Sequence, residues 1–149
     1  MLSFVKLTES KDDMVTLSVQ SWISCALVVC IFGWMILEFH FWGVRGSIPV
    51  SKTTHSYFGG HTSCLEMRTK ELQIFLDTGT GFQNAELQQN TPTIILFSHF
   101  HHDHIQGLLF GNDSFQARDD VFISSALCSP AEVKSILSRY FGGPLFPVE

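Results

Sequence analysis

The chain has 149 residues, with nine Lys and Arg against fourteen Asp and Glu and a formal net charge of −5 at pH 7. This length is typical of a single domain, and the shortage of basic residues argues against tight nonspecific binding of nucleic acids. The four cysteines form no Cys-x-x-Cys pair, which favours a reduced, cytoplasmic protein over a secreted one with disulfides.

The first predicted element is an apolar helix within residues 14–37, a segment without any charged residue. A membrane-spanning helix needs about 20 apolar residues, so this segment is near the lower limit for a membrane anchor. Three interpretations stay open: a membrane anchor, an extension without a role in folding, and an additional buried helix. The anchor would make the protein membrane-associated instead of freely cytoplasmic.

Further elements follow along the chain. Residues 64–69 and 72–77 alternate polar and apolar side chains on either side of a two-residue turn, which predicts a β-hairpin. Residues 121–124 form a further short strand. The sequence Ser-Pro-Ala-Glu at 129–132 is a capping box with proline at the first helical position, so a helix begins there, and Gly142 ends it.

A dense cluster of metal-binding side chains follows another predicted strand. Residues 93–98 are an apolar, β-branched run, and residues 99–104 then read His-Phe-His-His-Asp-His. Side chains at i and i+2 of an extended chain point the same way, so His99 and His101 can share one cation. Asp103 and His104 can face a second cation after the chain turns. Imidazole and carboxylate ligands suit zinc, and also manganese or iron.

The pattern His-x-His-x-Asp-His resembles the metal-binding motif of the metallo-β-lactamase-fold hydrolases. Three other segments resemble a bacterial branch of that superfamily, which is related to ribonuclease Z and cyclic-nucleotide phosphodiesterases. They are Phe-Trp-Gly-Val-Arg-Gly-Ser-Ile-Pro at 41–49, Gly-Gly-His-Thr-Ser-Cys at 59–64 and Phe-Leu-Asp-Thr-Gly-Thr-Gly at 75–81. The resemblance implies an α/β fold of the metallo-β-lactamase-like αββα sandwich type in residues 35–149, preceded by an amino-terminal extension in residues 1–34.

The resemblance also implies roles for individual residues. His99 and His101 are similar to ligands of a first metal ion, and Asp103 and His104 to ligands of a second. Asp103 is in addition similar to a residue that transfers a proton during catalysis, and Asp77 to a buried aspartate that orients the metal-binding loop. The implied chemistry is hydrolysis assisted by two divalent metal ions, most simply zinc, on a small-molecule or nucleotide phosphodiester.

Three residues have alternative interpretations. Asp77 either orients the metal-binding loop or is a simple turn residue before two glycines. Arg45 either contacts a substrate phosphate or belongs to a hairpin turn. His61 stands where the related branch usually has Asn, which we interpret as a tolerated exchange and not as an additional metal ligand.

We expect the chain to supply only part of the related fold. The resemblance implies further ligands, a His, a bridging Asp and a final His, in a second half of the sandwich, and no His follows His104. Residues 35–149 therefore resemble an amino-terminal half, which alone should hydrolyse little or nothing. Two functions stay open: a metal-dependent phosphodiesterase present as a partial domain, and a non-catalytic metal-binding fragment, which the apolar segment would tether to a membrane if that segment is an anchor.

Overall fold

The computed structural model describes residues 18–22, 25–32, 35–110 and 119–142, with side chains for residues 37–110 and 119–142. One mixed sheet dominates this part of the chain, and its strands lie side by side in chain order. The strands are β1 (Ser18–Trp22), β2 (Cys25–Phe32), β3 (Met35–Gly43), β4 (Cys64–Arg68), β5 (Gln73–Leu76), β6 (Thr93–Phe97) and β7 (Val121–Ser125). Neighbours are antiparallel from β1 to β5 and parallel from β5 to β7.

The fold also contains short helices. It is a mixed α/β fold, which agrees with the predicted fold class. In the described residues, two of these helices are α-helices, α1 (His102–Ile105) and α2 (Pro130–Phe141), and three are 3-10 helices, at Thr53–His55, Thr80–Asn84 and Gln106–Phe110. α2 begins at the predicted capping box and has Gly142 as its C-cap. The predicted hairpin is also confirmed, since β4 pairs with β5 in antiparallel register.

The apolar segment before residue 35 contains strands, so the predicted apolar helix is wrong for the described residues. β1 pairs with β2, and β2 pairs with β3 from Ala26 opposite Phe41 to Phe32 opposite Met35. β-branched residues such as Val28 and Val29 favour a strand, but an uninterrupted apolar run has no period that separates strand from helix. Within the described ranges, no helix has the length and apolar character needed to cross a membrane.

The hydrophobic core lies on one face of the sheet. Four buried strand side chains form its centre, Cys64, Phe75, Ile95 and Phe97. The helical turns cover them with Phe82, Ala85 and Ile105. The opposite face is apolar but only half-buried, and it consists of Phe39, Phe41, Leu65, Met67, Ile74, Leu76, Ile94 and Leu96.

A buried polar network joins β3 to β6 at one end of the core. Glu66 is fully buried, and its carboxylate accepts hydrogen bonds from Trp42 Nε1 and from Gln73 Nε2, both at 2.7 Å. Arg68 Nη1 lies 3.7 Å from the same carboxylate. Gln73 is fully buried as well, and its Oε1 accepts a hydrogen bond of 3.3 Å from the Thr93 hydroxyl. A buried carboxylate with two donors and a nearby cation satisfies the usual condition for burying charge.

Candidate metal centre

The histidine cluster lies where two neighbouring parallel strands end. β5 ends at Leu76 and is followed by Asp77, whereas β6 ends at Phe97 and is followed by Ser98 and the cluster. Leu76 lies opposite Leu96 in the parallel ladder, so the two carboxyl ends meet at the same edge of the sheet. Sheets of this kind commonly place their functional side chains at that edge.

The carboxylate of Asp77 hydrogen-bonds to both ends of the cluster. Its Oδ1 accepts the backbone N–H of Ser98 at 2.9 Å, and its Oδ2 accepts the Ser98 hydroxyl at 2.8 Å. Its Oδ2 also lies 2.7 Å from Nδ1 of His104. Only 5% of Asp77 is exposed, so these bonds are shielded from water. The contacts are those of an aspartate that orients the loop, which favours this interpretation over a simple turn residue.

The imidazole ring of His99 packs against the rings of two other histidines in the cluster. The ring centroids of His99 and His101 are 4.4 Å apart, and those of His99 and His104 are 4.0 Å apart. Because a carboxylate only accepts hydrogen bonds, His104 donates Nδ1–H to Asp77 and keeps the lone pair on Nε2. That Nε2 lies 3.5 Å from Oδ2 of Asp103. The fold therefore brings together the four residues that the sequence predicts as ligands.

Asp103 is buried in the first turn of α1. Its Oδ2 accepts a hydrogen bond of 2.7 Å from the backbone N–H of Ser47. Burial raises the pKa of Asp103, but the backbone hydrogen bonds and the neighbouring His104 and His101 outweigh burial, so the pKa lies below its ordinary value. Asp103 is therefore ionised at neutral pH, as a metal ligand or a proton acceptor must be.

Glycines allow the loop after β5 to lie directly against the cluster. The N–H of Thr78 donates to the carbonyl of His104 at 2.7 Å, and the N–H of Gly107 donates to the carbonyl of Thr78 at 2.8 Å. A Cβ at Gly79 would clash with the carbonyl oxygen of Asp103, and a Cβ at Gly107 would clash with that of Gly79. The backbone around the cluster is therefore fixed by contacts that only glycine permits.

Arg45 lies in the long connection between β3 and β4 and not in a tight hairpin turn. Its backbone N–H donates to the carbonyl of His61 at 3.0 Å, and Arg45 forms an isolated parallel bridge with Thr62. Nε of Arg45 is buried and has no hydrogen-bond partner among the described residues. Ser47, two residues later, contacts Asp103, so this connection runs beside the cluster. Contact with a substrate phosphate stays a prediction.

Two further contacts of the cluster were missed by the sequence reasoning. The N–H of Ser47 binds Asp103, and the hydroxyl of Tyr140 contacts Nδ1 of the exposed His102. Ser47 belongs to the segment 41–49 that was selected by resemblance, but the resemblance did not predict its hydrogen bond to Asp103. No sequence signal connects Tyr140 at the end of α2 with the cluster. Nδ1 of His61 lies 3.3 Å from the Thr80 hydroxyl and 3.4 Å from Nε2 of Gln83, and its interpretation as a tolerated exchange stays a prediction.

The chemistry of the donor set fits a zinc-type ion, although the side chains do not converge on one point. Three imidazoles and a carboxylate are typical zinc ligands. In the part of the chain that the structure describes, no group of three or more His, Cys, Asp or Glu side chains is already arranged around a common metal position. The rings of His99 and His101 pack edge to face instead, with an interplanar angle of 80°, so binding requires rotation of side chains.

Comparison of the chain with protein-family models, with curated proteins and with solved structures gives no match. Membership in the metallo-β-lactamase superfamily therefore stays a prediction that rests on the motifs at 41–49, 59–64, 75–81 and 99–104. The geometry around Asp77 is an independent observation, because hydrogen bonds to Ser98 and His104 follow from the fold and not from the motif.

Proposed function

We propose that this chain is a metal-dependent hydrolase of the metallo-β-lactamase superfamily that acts on phosphodiesters. His99, His101, Asp103 and His104 are its metal ligands. The observation that carries the proposal is the carboxylate of Asp77, which hydrogen-bonds to Nδ1 of His104 at 2.7 Å. In metal sites, a carboxylate commonly accepts a hydrogen bond from the ring nitrogen of the histidine that does not bind the metal, and this bond fixes the orientation of the ring. Bound divalent ions, most simply zinc, supply Lewis acidity that activates water and neutralises charge on a phosphoryl oxygen.

The protein side chains have separate tasks in this proposal. Asp77 holds His104 so that its Nε2 is free to bind metal. Asp103 is ionised, is held in place by Ser47, and accepts or delivers a proton. Arg45 lies two residues before Ser47, whose N–H contacts Asp103, and in this proposal its guanidinium binds an oxygen of the substrate phosphate.

The half-buried apolar face of the sheet supports the αββα part of the proposal. Sheets that pack face to face lie about 10 Å apart and bury apolar side chains between them. Alternate residues from Phe39 in β3 to Leu96 in β6 provide such a face. In the proposed sandwich, this face contacts a second sheet.

Zinc content and phosphodiester hydrolysis test the proposal together. Protein without a His tag is dialysed against zinc and then buffer, and its metal content and its turnover of bis(4-nitrophenyl) phosphate are measured. We expect stable zinc binding with slow turnover, and loss of both in His101→Ala. His55→Ala is the matched control, because His55 lies in the 3-10 helix after Lys52, outside the cluster. Wild-type protein that retains no zinc would refute the proposal.

A non-catalytic metal-binding protein is the second candidate function. Each zinc ion needs about four ligands, and the cluster offers four protein side chains for two ions. The absence of a preformed group of three ligands among the described residues also favours weak or variable binding. Zinc that binds and is lost in His101→Ala, without any hydrolysis of phosphodiesters, thioesters or lactones, would support this candidate.

A further inference from the structure

We propose that Ser98 is a positioning residue that sets the tautomer of His99, so that Nε2 of His99 is its metal-binding nitrogen. The inference rests on the proposed metal centre and extends it by one residue to which no role has been given so far. It follows from the contacts of one hydroxyl group. The Ser98 Oγ lies between the carboxylate of Asp77 and the imidazole of His99.

The direction of each hydrogen bond follows from counting protons. The carboxylate of Asp77 can only accept, and a serine hydroxyl has a single proton to donate. Ser98 Oγ lies 2.8 Å from Oδ2 and 3.0 Å from Oδ1 of Asp77, so its proton points to this carboxylate. Oγ also lies 3.0 Å from Nδ1 of His99. The proton in that second contact must therefore come from the ring, and His99 donates Nδ1–H to Ser98.

The opposite arrangement is less favourable. If Ser98 donated to His99 instead, the buried carboxylate of Asp77 would keep the Ser98 N–H and His104 as donors but would lose the hydroxyl, and hydrogen bonds to a charged acceptor are stronger than those to a neutral one. His99 would in that case carry its proton on Nε2, and that nitrogen could not bind a metal ion.

One carboxylate therefore sets the tautomer of two histidines. Asp77 acts directly on His104, whose Nδ1 lies 2.7 Å from Oδ2, and acts on His99 through the hydroxyl of Ser98. Both rings then keep the lone pair on Nε2. Their centroids are 4.0 Å apart, so two nitrogens of the same type are available within one small volume.

The test is NMR spectroscopy of the histidine rings in the metal-free protein at a fixed pH of about 8, where ordinary imidazoles are neutral. Long-range ¹H–¹⁵N spectra show which nitrogen carries the proton, and His99→Gln assigns the signals. We expect the proton of His99 on Nδ1 in the wild type and in Ser98→Thr. In Ser98→Ala we expect that preference to be lost.

Zinc affinity provides the second readout. Loss of a partner that orients a ligand typically weakens metal binding by roughly 10–100-fold. We expect a zinc Kd raised about 10-fold in Ser98→Ala and little changed in Ser98→Thr. Ser124→Ala is the control, because Ser124 is an exposed serine near the end of β7. Ser98 is exposed too, so its truncation leaves no core cavity and the fold should persist.

The outcomes separate this inference from the proposed function. A wild-type His99 with its proton on Nε2, or an unchanged tautomer in Ser98→Ala, would overturn the inference even if zinc binds. A wild type with the expected tautomer but no zinc binding would instead refute the proposed metal centre. If Ser98→Ala does not fold, the wild-type spectrum alone still decides the tautomer.

Discussion

Asp77 combines a strained backbone with the contacts that organise the candidate metal centre. Its φ is 60°, in the left-handed region that Asp and Asn adopt more readily than most residues. Its side chain accepts hydrogen bonds from Ser98 and His104 while it is almost fully buried. Strain of this kind persists only where the surroundings determine the conformation, and it is commonest at functional sites.

Replacement of Asp77 by Asn tests the role of the carboxylate separately from the role of the backbone conformation. Asn tolerates the left-handed conformation, but its NH2 group replaces one carboxylate oxygen, so it cannot accept both from the Ser98 N–H, which contacts Oδ1, and from His104, which contacts Oδ2. We expect Asp77→Asn to fold and to bind zinc roughly 10–100-fold more weakly in a competition titration. Asp77→Ala should lower the midpoint of thermal unfolding as well, because alanine is strained at this φ. Zinc affinity in Asp77→Asn equal to that of the wild type would contradict the role of Asp77.

The close contacts of Gly79 and Gly107 give a second prediction at the residue scale. A Cβ at either position would clash with a backbone carbonyl of the loop that holds the cluster. Overpacking of this kind costs roughly 1–3 kcal/mol, so Gly79→Ala and Gly107→Ala should lower the free energy of unfolding in urea by that amount. Gly46→Ala is the matched control, since nothing lies within 4 Å of its added Cβ. Equal stability of Gly46→Ala and Gly79→Ala would show that these contacts are not tight.

Among the elements, β3 and β4 are joined by charged and polar side chains as well as by backbone hydrogen bonds. Glu38 lies opposite Arg68 in the antiparallel register, and His40 lies opposite Glu66. Arg68 Nε donates to Glu38 at 2.8 Å, while its Nη1 approaches the buried Glu66. The polar end of the core therefore depends on correct pairing of these two strands, because a shift by one residue would move Glu66 to the other face.

The Glu38–Arg68 pair predicts a dependence of stability on pH. The hydrogen bond from Arg68 is the main cause that lowers the pKa of Glu38 below its ordinary value of 4.5. The stabilisation is complete above that ordinary pKa and is lost as the pH falls through the lower pKa of the folded state. Below about pH 4.5, urea unfolding should show the wild type losing up to about 1 kcal/mol more than Glu38→Gln.

The control for this pH effect is Glu71→Gln, at an exposed position between β4 and β5. Glu71→Gln should follow the acid profile of the wild type, whereas Glu38→Gln should have a flatter one. A profile of Glu38→Gln that coincides with that of the wild type would mean that the pair with Arg68 contributes nothing to folding.

The whole molecule has a sheet with two unlike faces. One face carries the buried core and is covered by the helical turns and α2. The other face carries equally apolar side chains that are only half-buried. The strand β6 contributes to both faces, since Ile95 is fully buried and its neighbour Ile94 is not.

This difference predicts unequal costs for two identical substitutions in one strand. Ile95→Ala should lower the free energy of unfolding by about 2–5 kcal/mol, because it opens a cavity in the core. Ile94→Ala should cost about 1 kcal/mol, as expected for a half-buried side chain. Urea unfolding of both variants provides the measurement. Equal costs would indicate that the half-buried face is covered as completely as the core.

Local patterns allowed much of this fold to be predicted. Alternation identified β4 and β5, an apolar, β-branched run identified β6, and the capping box at Ser129 identified the start of α2. The strands β1 and β2 were predicted as a helix, since apolar runs carry no distinguishing period. The network around Glu66 could not be predicted either, because its partner Trp42 lies 24 residues away and only the strand register brings them together.

The candidate site, too, was predicted only in part. Its proposed ligand residues are adjacent in the chain and are visible as a motif, and Asp77 was selected by resemblance. The bonds from Ser47 to Asp103 and from Tyr140 to His102 connect distant segments, so they depend on tertiary packing.

The parallel pairing of β5 with β6 has a consequence for the order of folding events. Asp77 and Ser98 follow the paired ends of these strands, so the carboxylate reaches the cluster only after the intervening loop has closed. Loop closure of about 20 residues has an entropic cost that no local hydrogen bond offsets in advance. We therefore expect the histidines of the cluster to become oriented only after β5 and β6 have paired, so that zinc added during refolding binds after the sheet has formed.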